Sequence, residues 1–474
     1  MEEQNSAAFV VVGGGIAAVA CAEQLSDLLP EEKILLITSS EIVKMITNWQ
    51  KIGLVMECFD VTVSSAPSAF ASRPNVKVVQ AYITKLNRNK KELIASDGVT
   101  FKYKKLCIAT GGIPKQEGLL LLEMVVLLQR SEVTNIEVIW VVKHDSITAT
   151  FIDAGAAAFL LPYINNKNVS KGSKARHTCS KDTLKIPVPS ATESTLSSET
   201  SQCDSIFNHG SALGPDWIEG FCVKGSLHDK RIHIEKQCSI RDVLTPEQRK
   251  ELNLMEEVLP SDFTEIDSWP VYVQLTNDKV YGCDFIVSAI GVEPNTYPWI
   301  TSENDFKIAD DGGLVVDDQM QTNFEDIYAA GDVCTVGWNP APNWLQMRLW
   351  TQARQMGAYA GECMVANFQG KKMELDICFE IFTHVTKFFG FNVTMLGRFN
   401  GQGLRSDHER LMRMTPGVEY VTVLIQDGVV RGAILIGDTN LDELFENLIL
   451  NEINIEEMKF DLLNPTIDIE DYFD

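Results

Sequence analysis

The chain has 474 residues, 45% of them hydrophobic and 22% charged, and carries a formal net charge of −24. That length exceeds what one hydrophobic core usually supports, so two or three domains are expected. The acidic balance argues against direct nucleic-acid binding and against anionic membrane surfaces, both of which are held by clustered Lys and Arg.

The residues ahead of the first apolar run show neither a basic start nor a small-residue cleavage site, so no secretory signal is expected. The longest aliphatic stretch, 119–128, is interrupted by Glu123 and is about half the ~20 residues of a membrane span. A soluble protein with no membrane association is expected. The eleven cysteines form no Cys-x-x-Cys pair and no His/Cys cluster at metal-ligand spacing, so no metal site is expected, and most of them read as small buried hydrophobes in a reducing compartment.

In chain order, residues 9–12 read as an apolar strand, 13–15 as a glycine turn, the following stretch as a helix and 34–37 as a second strand: a βαβ unit. In FVVVGGGIAAVACAEQL, residues 9–25, Gly13 permits a tight turn and Gly15 lets backbone N–H groups approach a pyrophosphate. Gly14 completes the turn, and the small Ala18 allows helix and strand to pack closely where a third glycine often sits. The helix that starts at Ile16 and Ala17 would then point its positive end at phosphates. The acid that usually grips a ribose should fall near Thr38 or Ser39, and neither is a carboxylate; Glu41 is the nearest one.

Further strands are expected at 76–79 and 105–110, with a turn at Asp97-Gly98 between them. Two independent segments, CIATGGIP (107–114) and VSAIGVEPN (287–295), each run a buried strand into a glycine turn, and the first presents Ala109, Thr110 and Gly111. DIYAAGD, 326–332, ends an apolar strand at Gly331-Asp332. There the backbone can approach a ligand closely while Asp332 accepts hydrogen bonds from a polyol, or Asp332 merely caps the helix-like stretch that follows at 346–357.

Between 165 and 208 the chain is rich in Ser, Thr, Lys and Asn and has no sustained apolar period, which reads as a mobile, flexible linker. Strand patterns return at 271–275, with a turn at Asn277-Asp278, and at 285–289. The last hundred residues mix β patterns at 420–425 and 432–436 with a helical one at 441–450, an α+β unit. The tail is acidic, either a solvated end or a partner-docking peptide.

These motifs, in this order, resemble the two-dinucleotide-binding-domain flavoproteins of the pyridine nucleotide-disulfide oxidoreductase family. The resemblance extends through SALGPDWIEG, WPVYVQLTN, QMRLWTQARQMG, HVTKFF and NPTIDIEDYFD, over nearly the whole chain outside the linker. It implies an α/β fold of Rossmann-like FAD/NAD(P)-binding type. A discontinuous FAD domain would occupy 1–117 and 285–365, an inserted NAD(P)-binding domain 118–284, and an interface-like α+β domain 373–474. It further implies that Gly13, Gly14, Gly15, Ile16, Ala17, Ala18, Thr38, Ser39, Ala109, Thr110, Gly111, Gly331 and Asp332 contact FAD.

The implied activity is FAD-dependent oxidation of NADH or NADPH, the small-molecule electron donor, in oxidative-stress defence, with an unidentified electron acceptor. A tRNA ligase as partner, a homodimer, and a location in cytoplasm, nucleus and muscle sarcomere belong to the same implication. The alternative is an FAD-binding protective scaffold with little turnover.

Two departures from the family pattern shape the expectation. Residues 39–59, where a redox dithiol would lie, contain only Cys58, so electron transfer directly at the flavin is expected. In that loop Lys44 resembles the lysine that cysteine-free relatives set against the flavin, where a cation would stabilise developing negative charge, or it is a surface lysine. Second, no glycine lies between Gly118 and Gly155, and about seventeen residues separate Gly118 from Ile136, against the roughly thirty that a βαβ unit needs. The second phosphate cradle is therefore expected to be missing and the nucleotide domain incomplete, which argues against tight NAD(P)H binding.

Overall fold

The computed structural model describes residues 5–115, 137–144, 152–164, 231–257, 268–287, 291–301, 304–388, 390–465 and 467. The 165–208 linker, the 119–128 stretch and the end of the acidic tail lie outside the described residues.

The first unit is built on a sheet whose strands are β1 (Ser6–Val12), β2 (Ile34–Thr38), β5 (Val76–Gln80), β6 (Ile83–Asn87), β7 (Glu92–Ala95) and β8 (Thr100–Ile108), with β3 (Ile42–Lys51) and β4 (Glu57–Ser65) set apart as a hairpin. Strands run in the order β5-β2-β1-β8, all parallel, and β7 and β6 continue antiparallel beyond the first half of β8. Ile327–Ala329 pairs in parallel with the second half of β8, and Asp326 just before it takes ion pairs from Lys91 and the buried Lys105. The near-continuous Val and Ile runs of β1 and β2 suit strands covered on both faces, and their central side chains are fully buried.

Helix α1 (Ile16–Leu28) crosses one face, and the long Trp350–Phe368 helix lies against it. The contact is close because it is made of small residues: a Cβ on Gly357 would stand 2.3 Å from the Ala17 carbonyl oxygen, and one on Gly361 would stand 3.1 Å from the Cys21 carbonyl oxygen.

Where a loop was expected after the second strand, the chain forms the antiparallel β3–β4 hairpin, so Lys44 sits on a strand. The hairpin docks on the Trp350–Phe368 helix: Arg354 reaches the buried Glu57 at 2.5 Å and lies over the Trp49 ring at 4.5 Å. Burial pushes the Glu57 carboxyl up, and the Arg354 charge works against that rise.

Residues 112–114 pair antiparallel with 292–294, so the outgoing and returning chain cross side by side between the first unit and the inserted one. Among the described residues, the inserted unit holds the parallel pair Glu137–Val142 and Arg231–Lys236, the helix Ala154–Ile164, and a three-stranded meander of Ile240–Leu244, Val271–Leu275 and Val280–Cys283. The buried strand expected at 285–289 does not form in its described part: residues 284–287 are irregular and Phe285 is 62% exposed. A short apolar run becomes a strand only beside a partner, and this one leaves the meander at Cys283 without one among the described residues.

The C-terminal unit is a five-stranded antiparallel sheet, ordered Thr383–Phe388, Phe391–Gly397, Val429–Gly437, Glu419–Gln426, Glu409–Thr415. One face buries Phe445, Leu448 and Ile449 of the Asp442–Leu450 helix. The other receives Phe159 of the inserted helix, edge-on to Phe391 at 5.2 Å.

Candidate functional site

The glycine turn is fixed by close approach. Gly13 has φ +145° and donates its N–H to the Ile37 carbonyl at 2.8 Å, and an added Cβ would stand 2.1 Å from the Ala109 oxygen. Only glycine fits there. Ala18 packs beneath it, 3.2 Å from the position of that Cβ. A Cβ on Gly14 would stand 2.4 Å from the Thr38 hydroxyl oxygen. Gly15 differs: a Cβ there would meet nothing within 4 Å, and no side chain caps α1. The first-turn amides of Ile16, Ala17 and Ala18 thus face space left open above Gly15, the arrangement that receives a phosphate.

Thr38 and Ser39 divide. Thr38 is buried and its hydroxyl accepts the Ser40 N–H at 3.2 Å, so it braces the turn, while Ser39 is exposed at the end of β2. Glu41 is also exposed, and its backbone carbonyl accepts the Ala66 N–H. At the end of β8, Ala109 N–H donates to Val12 O at 2.8 Å. The Thr110 hydroxyl donates to Asn295 O at 2.9 Å and accepts Trp299 Nε1–H at 3.1 Å. Gly111, with φ +68°, leaves open space where a Cβ would be.

Gly331 has φ +78° and brings its turn against α1, where a Cβ would stand 2.7 Å from that of Ala17. Asp332 is the middle residue of a short 3-10 turn, Gly331–Val333, and does not cap the later helix, which begins only at Trp350. Among the described residues none donates a hydrogen bond to its carboxylate. Burial pushes the Asp332 carboxyl up, opposed by the charges of Arg348 and Lys44; burial likewise pushes the Lys44 ammonium down, opposed by Asp332. Each of the two lightens the other's desolvation cost. Lys44 is tied through its backbone N–H to Gly14 O at 2.9 Å, and its ammonium lies 4.8 Å from the centre of the Trp350 ring.

Residues that sequence reasoning did not single out complete the cluster. Arg348 Nε–H donates to the Asp332 carbonyl at 3.0 Å, and Arg348 pairs with Asp311 at 2.7 Å, which fixes the turn that carries Asp332. Trp350 and Thr351 open the long helix, and the Gln352 side chain folds back to accept Met347 N–H at 2.6 Å and donate to Leu345 O at 2.7 Å. The Thr351 hydroxyl is hydrogen-bonded to His384 Nδ1 at 3.0 Å. Arg348 and Trp350 stand in the quoted QMRLWTQARQMG and His384 in HVTKFF, so the stretches were visible but not the roles.

A dinucleotide of the FAD type fits these residues: an open, uncapped helix start for the pyrophosphate, an exposed Ser39 hydroxyl at the end of β2, and the half-buried Asp332 carboxylate, to which none of the described residues donates a hydrogen bond. A cation stacked on an aromatic ring stands at the mouth of a second helix. At the end of β2, where a dinucleotide-binding unit usually places an acid, the hydroxyl of Ser39 stands instead.

A family model described as pyridine nucleotide-disulphide oxidoreductase matches residues 2–138 and 239–357. The chain is 43% identical to pyridine nucleotide-disulfide oxidoreductase domain-containing protein 1 of Pongo abelii, covering 98% of each chain. It is 42% identical to the protein of that name from Homo sapiens and 33% identical to that from Dictyostelium discoideum, again over 98% of this chain. Among solved structures, the putidaredoxin reductase–putidaredoxin covalent complex superposes with TM-score 0.61 at 14% identity, covering 99% of this chain and 98% of that one. NADH:rubredoxin oxidoreductase from Clostridium acetobutylicum gives 0.52 at 14% identity over 98% of this chain and 100% of that one. The inserted two-domain architecture with an appended C-terminal sheet is that of these reductases, and the chain belongs to the pyridine nucleotide-disulfide oxidoreductase family, with the scaffold of an FAD/NAD(P)H oxidoreductase.

Proposed function

We propose that the chain is an FAD-dependent oxidoreductase that oxidises NADH or NADPH and passes electrons to an acceptor other than an internal dithiol. The observation that carries this is the Lys44 ammonium 4.8 Å over the Trp350 ring at the start of the second helix, with the Asp332 charge acting on it and α1 open above Gly15. Bound FAD would supply the two-electron centre. The amides of Ile16 to Ala18 would hold its pyrophosphate, Ser39 a ribose hydroxyl and the Asp332 carboxylate a polyol hydroxyl. Ala109, Thr110 and Gly111 would line the cofactor through backbone. Lys44, half-buried beside the Trp350 ring, would stabilise negative charge developing beside it.

Burial and the neighbouring Asp60 push the Cys58 thiol up, which makes it a poor thiolate and argues against a thiol relay. The fold shared with a putidaredoxin reductase in complex with putidaredoxin supports a protein as the acceptor class. The reading carries with it oxidative-stress defence in cytoplasm, nucleus and sarcomere, a tRNA ligase as partner and a homodimer, all supported by family membership alone.

A second reading, an FAD-binding protective scaffold with little turnover, is favoured by the inserted unit. The start of the Ala154–Ile164 helix is closed by Asp153, whose Oδ1 accepts the Ala156 N–H at 2.8 Å. Gly155 serves packing, since a Cβ there would stand 2.6 Å from the Tyr420 hydroxyl. Both features occupy the start of this helix. The alignment to the Pongo abelii protein also spans 502 positions against 474 residues here, so some positions of that protein have no counterpart in this chain.

An anaerobic absorbance spectrum of the purified chain, before and after NADH, decides between the two. A flavin spectrum bleached by NADH supports the oxidoreductase, an unchanged one the scaffold, and no flavin overturns both.

A further inference from the structure

Two elements carry the halves of the Lys44–Trp350 contact, and the C-terminal unit grips both. On the hairpin side, Glu446 of the Asp442–Leu450 helix is 1% exposed, and its carboxylate accepts the N–H groups of Leu54, Val55 and Met56 at 2.6, 2.7 and 2.7 Å. Those residues form the loop that joins β3, which bears Lys44, to β4.

On the helix side, the approach to Trp350 is laid down on the C-terminal sheet. Phe382 N–H donates to Asn343 O at 3.0 Å, and Arg398 Nε–H donates to Pro342 O at 2.6 Å. Leu349 packs among Phe382, Phe388 and Met395. The last tie is a side-chain pair: Thr351, in the first helical turn beside Trp350, and His384, on the first strand of the sheet, are 1% and 2% exposed and hydrogen-bonded at 3.0 Å.

A helix whose N-terminal turn has no capping side chain depends on its surroundings for its direction. Here the preceding segment and the first-turn hydroxyl are both fastened to another unit of the same chain. We propose that His384 is a positioning residue for the candidate flavin site: through Thr351 it fixes the first turn of the Trp350–Phe368 helix and so the seat of Trp350 under Lys44. The inference rests on the reading that FAD is held here. It makes the C-terminal unit part of the redox site within one chain, in addition to any role between chains.

The test uses the full-length, FAD-loaded protein and three variants, Thr351→Val, Thr351→Ser and His384→Gln, read by flavin midpoint potential, visible flavin spectrum and FAD affinity. Thr351→Val keeps the shape and removes the hydrogen bond. The expected result is a lowered potential, a shifted flavin band and FAD binding weakened about five-fold, the effect of one lost buried hydrogen bond. Thr351→Ser, which keeps the hydroxyl, should recover most of all three, and His384→Gln should follow Thr351→Val. If His384→Gln does not fold, the two Thr351 variants decide alone. A folded Thr351→Val protein with wild-type potential, spectrum and affinity overturns the proposal while leaving the flavin reading intact. A wild-type chain that holds no FAD overturns both.

Discussion

The Tyr420 hydroxyl donates to Asp153 Oδ1 at 2.7 Å, and the same oxygen accepts the Ala156 N–H that opens the inserted helix. Arg410 closes the second oxygen at 3.0 Å, and the Thr422 hydroxyl donates to Tyr420 at 2.8 Å. One buried carboxylate therefore caps a helix of the inserted unit and joins it to two strands of the C-terminal sheet. Tyr420→Phe removes one arm and leaves the Thr422 hydroxyl and Asp153 short of partners inside the interface. Denaturant unfolding should show a loss of about 1–3 kcal/mol in the transition of these two units. Gly155→Ala should act in the same direction by displacing the Tyr420 hydroxyl. A Tyr420→Phe protein with unchanged unfolding would remove the cap from the account.

Glu446 gives the second prediction. Three backbone donors converge on one carboxylate, and charge-assisted bonds of this kind exceed neutral ones. Glu446→Gln replaces an accepting oxygen by a donating NH2 group turned toward N–H, so it should cost roughly 2–4 kcal/mol and make the 53–56 loop the first site of limited proteolysis. Gly53→Ala should reproduce part of this, since its Cβ would stand 2.2 Å from Glu446 Oε2. Unaltered proteolysis in both variants would contradict the role given to the carboxylate.

How much of this was legible in the sequence follows from the range of the forces involved. The glycine turn, the two buried strands around it and the Gly331-Asp332 turn were readable because each is fixed by local demands, a positive φ at Gly13 and Gly331 and continuous apolar runs in the strands. Two of the five C-terminal strands, Glu419–Gln426 and Val429–Gly437, were readable from their apolar runs, while their antiparallel pairing was not. Lys44 was readable only as one of two alternatives, because what buries it is Trp350, some three hundred positions away.

Glu446 and the Tyr420–Asp153 pair act across 392 and 267 positions and His384 across 33, and nothing in their local sequence distinguishes a polar residue that meets a partner from one that faces water. The β3–β4 hairpin was read as loop because its exposed and half-buried positions weaken the period of two. The run at 285–289 was read as strand because its apolar residues do not reveal whether a neighbour exists to pair with them.

Asp332 and Lys44 supply the third prediction, a trade between stability and binding. The folded apoprotein holds the Asp332 carboxyl above its ordinary value, so the folded state binds this proton more readily than the unfolded one. As pH rises through the window from the ordinary carboxylate value to the raised one, this group takes stability away. Asp332→Asn should flatten that loss and raise the melting temperature of the apoprotein near neutral pH. It should also weaken FAD binding by roughly 10- to 100-fold, the worth of a hydrogen bond to a charged acceptor. Lys44→Met should likewise stabilise the apoprotein, because burial holds its ammonium below the ordinary value. If Asp332→Asn lowers apoprotein stability and leaves FAD affinity unchanged, the carboxylate serves the fold and not the cofactor.

His384 supplies the last prediction, and its sign is opposite. Burial alone pushes the imidazole down from 6.5 to about 4, so the neutral ring is the folded form while the unfolded chain takes up a proton earlier. The stability that comes from keeping His384 neutral is complete above the unfolded value of 6.5 and is lost as pH falls from there to about 4. Carried through that window, the loss amounts to about 3 kcal/mol. His384→Gln cannot take up the proton, so its stability should fall less steeply over the same acid range even if it starts lower at neutral pH. Equilibrium unfolding at a series of pH values, wild type against variant, reads the difference directly. Parallel curves between pH 6.5 and 4 would mean that His384 is already protonated in the fold, and the Thr351 hydroxyl would then be accepting from an imidazolium.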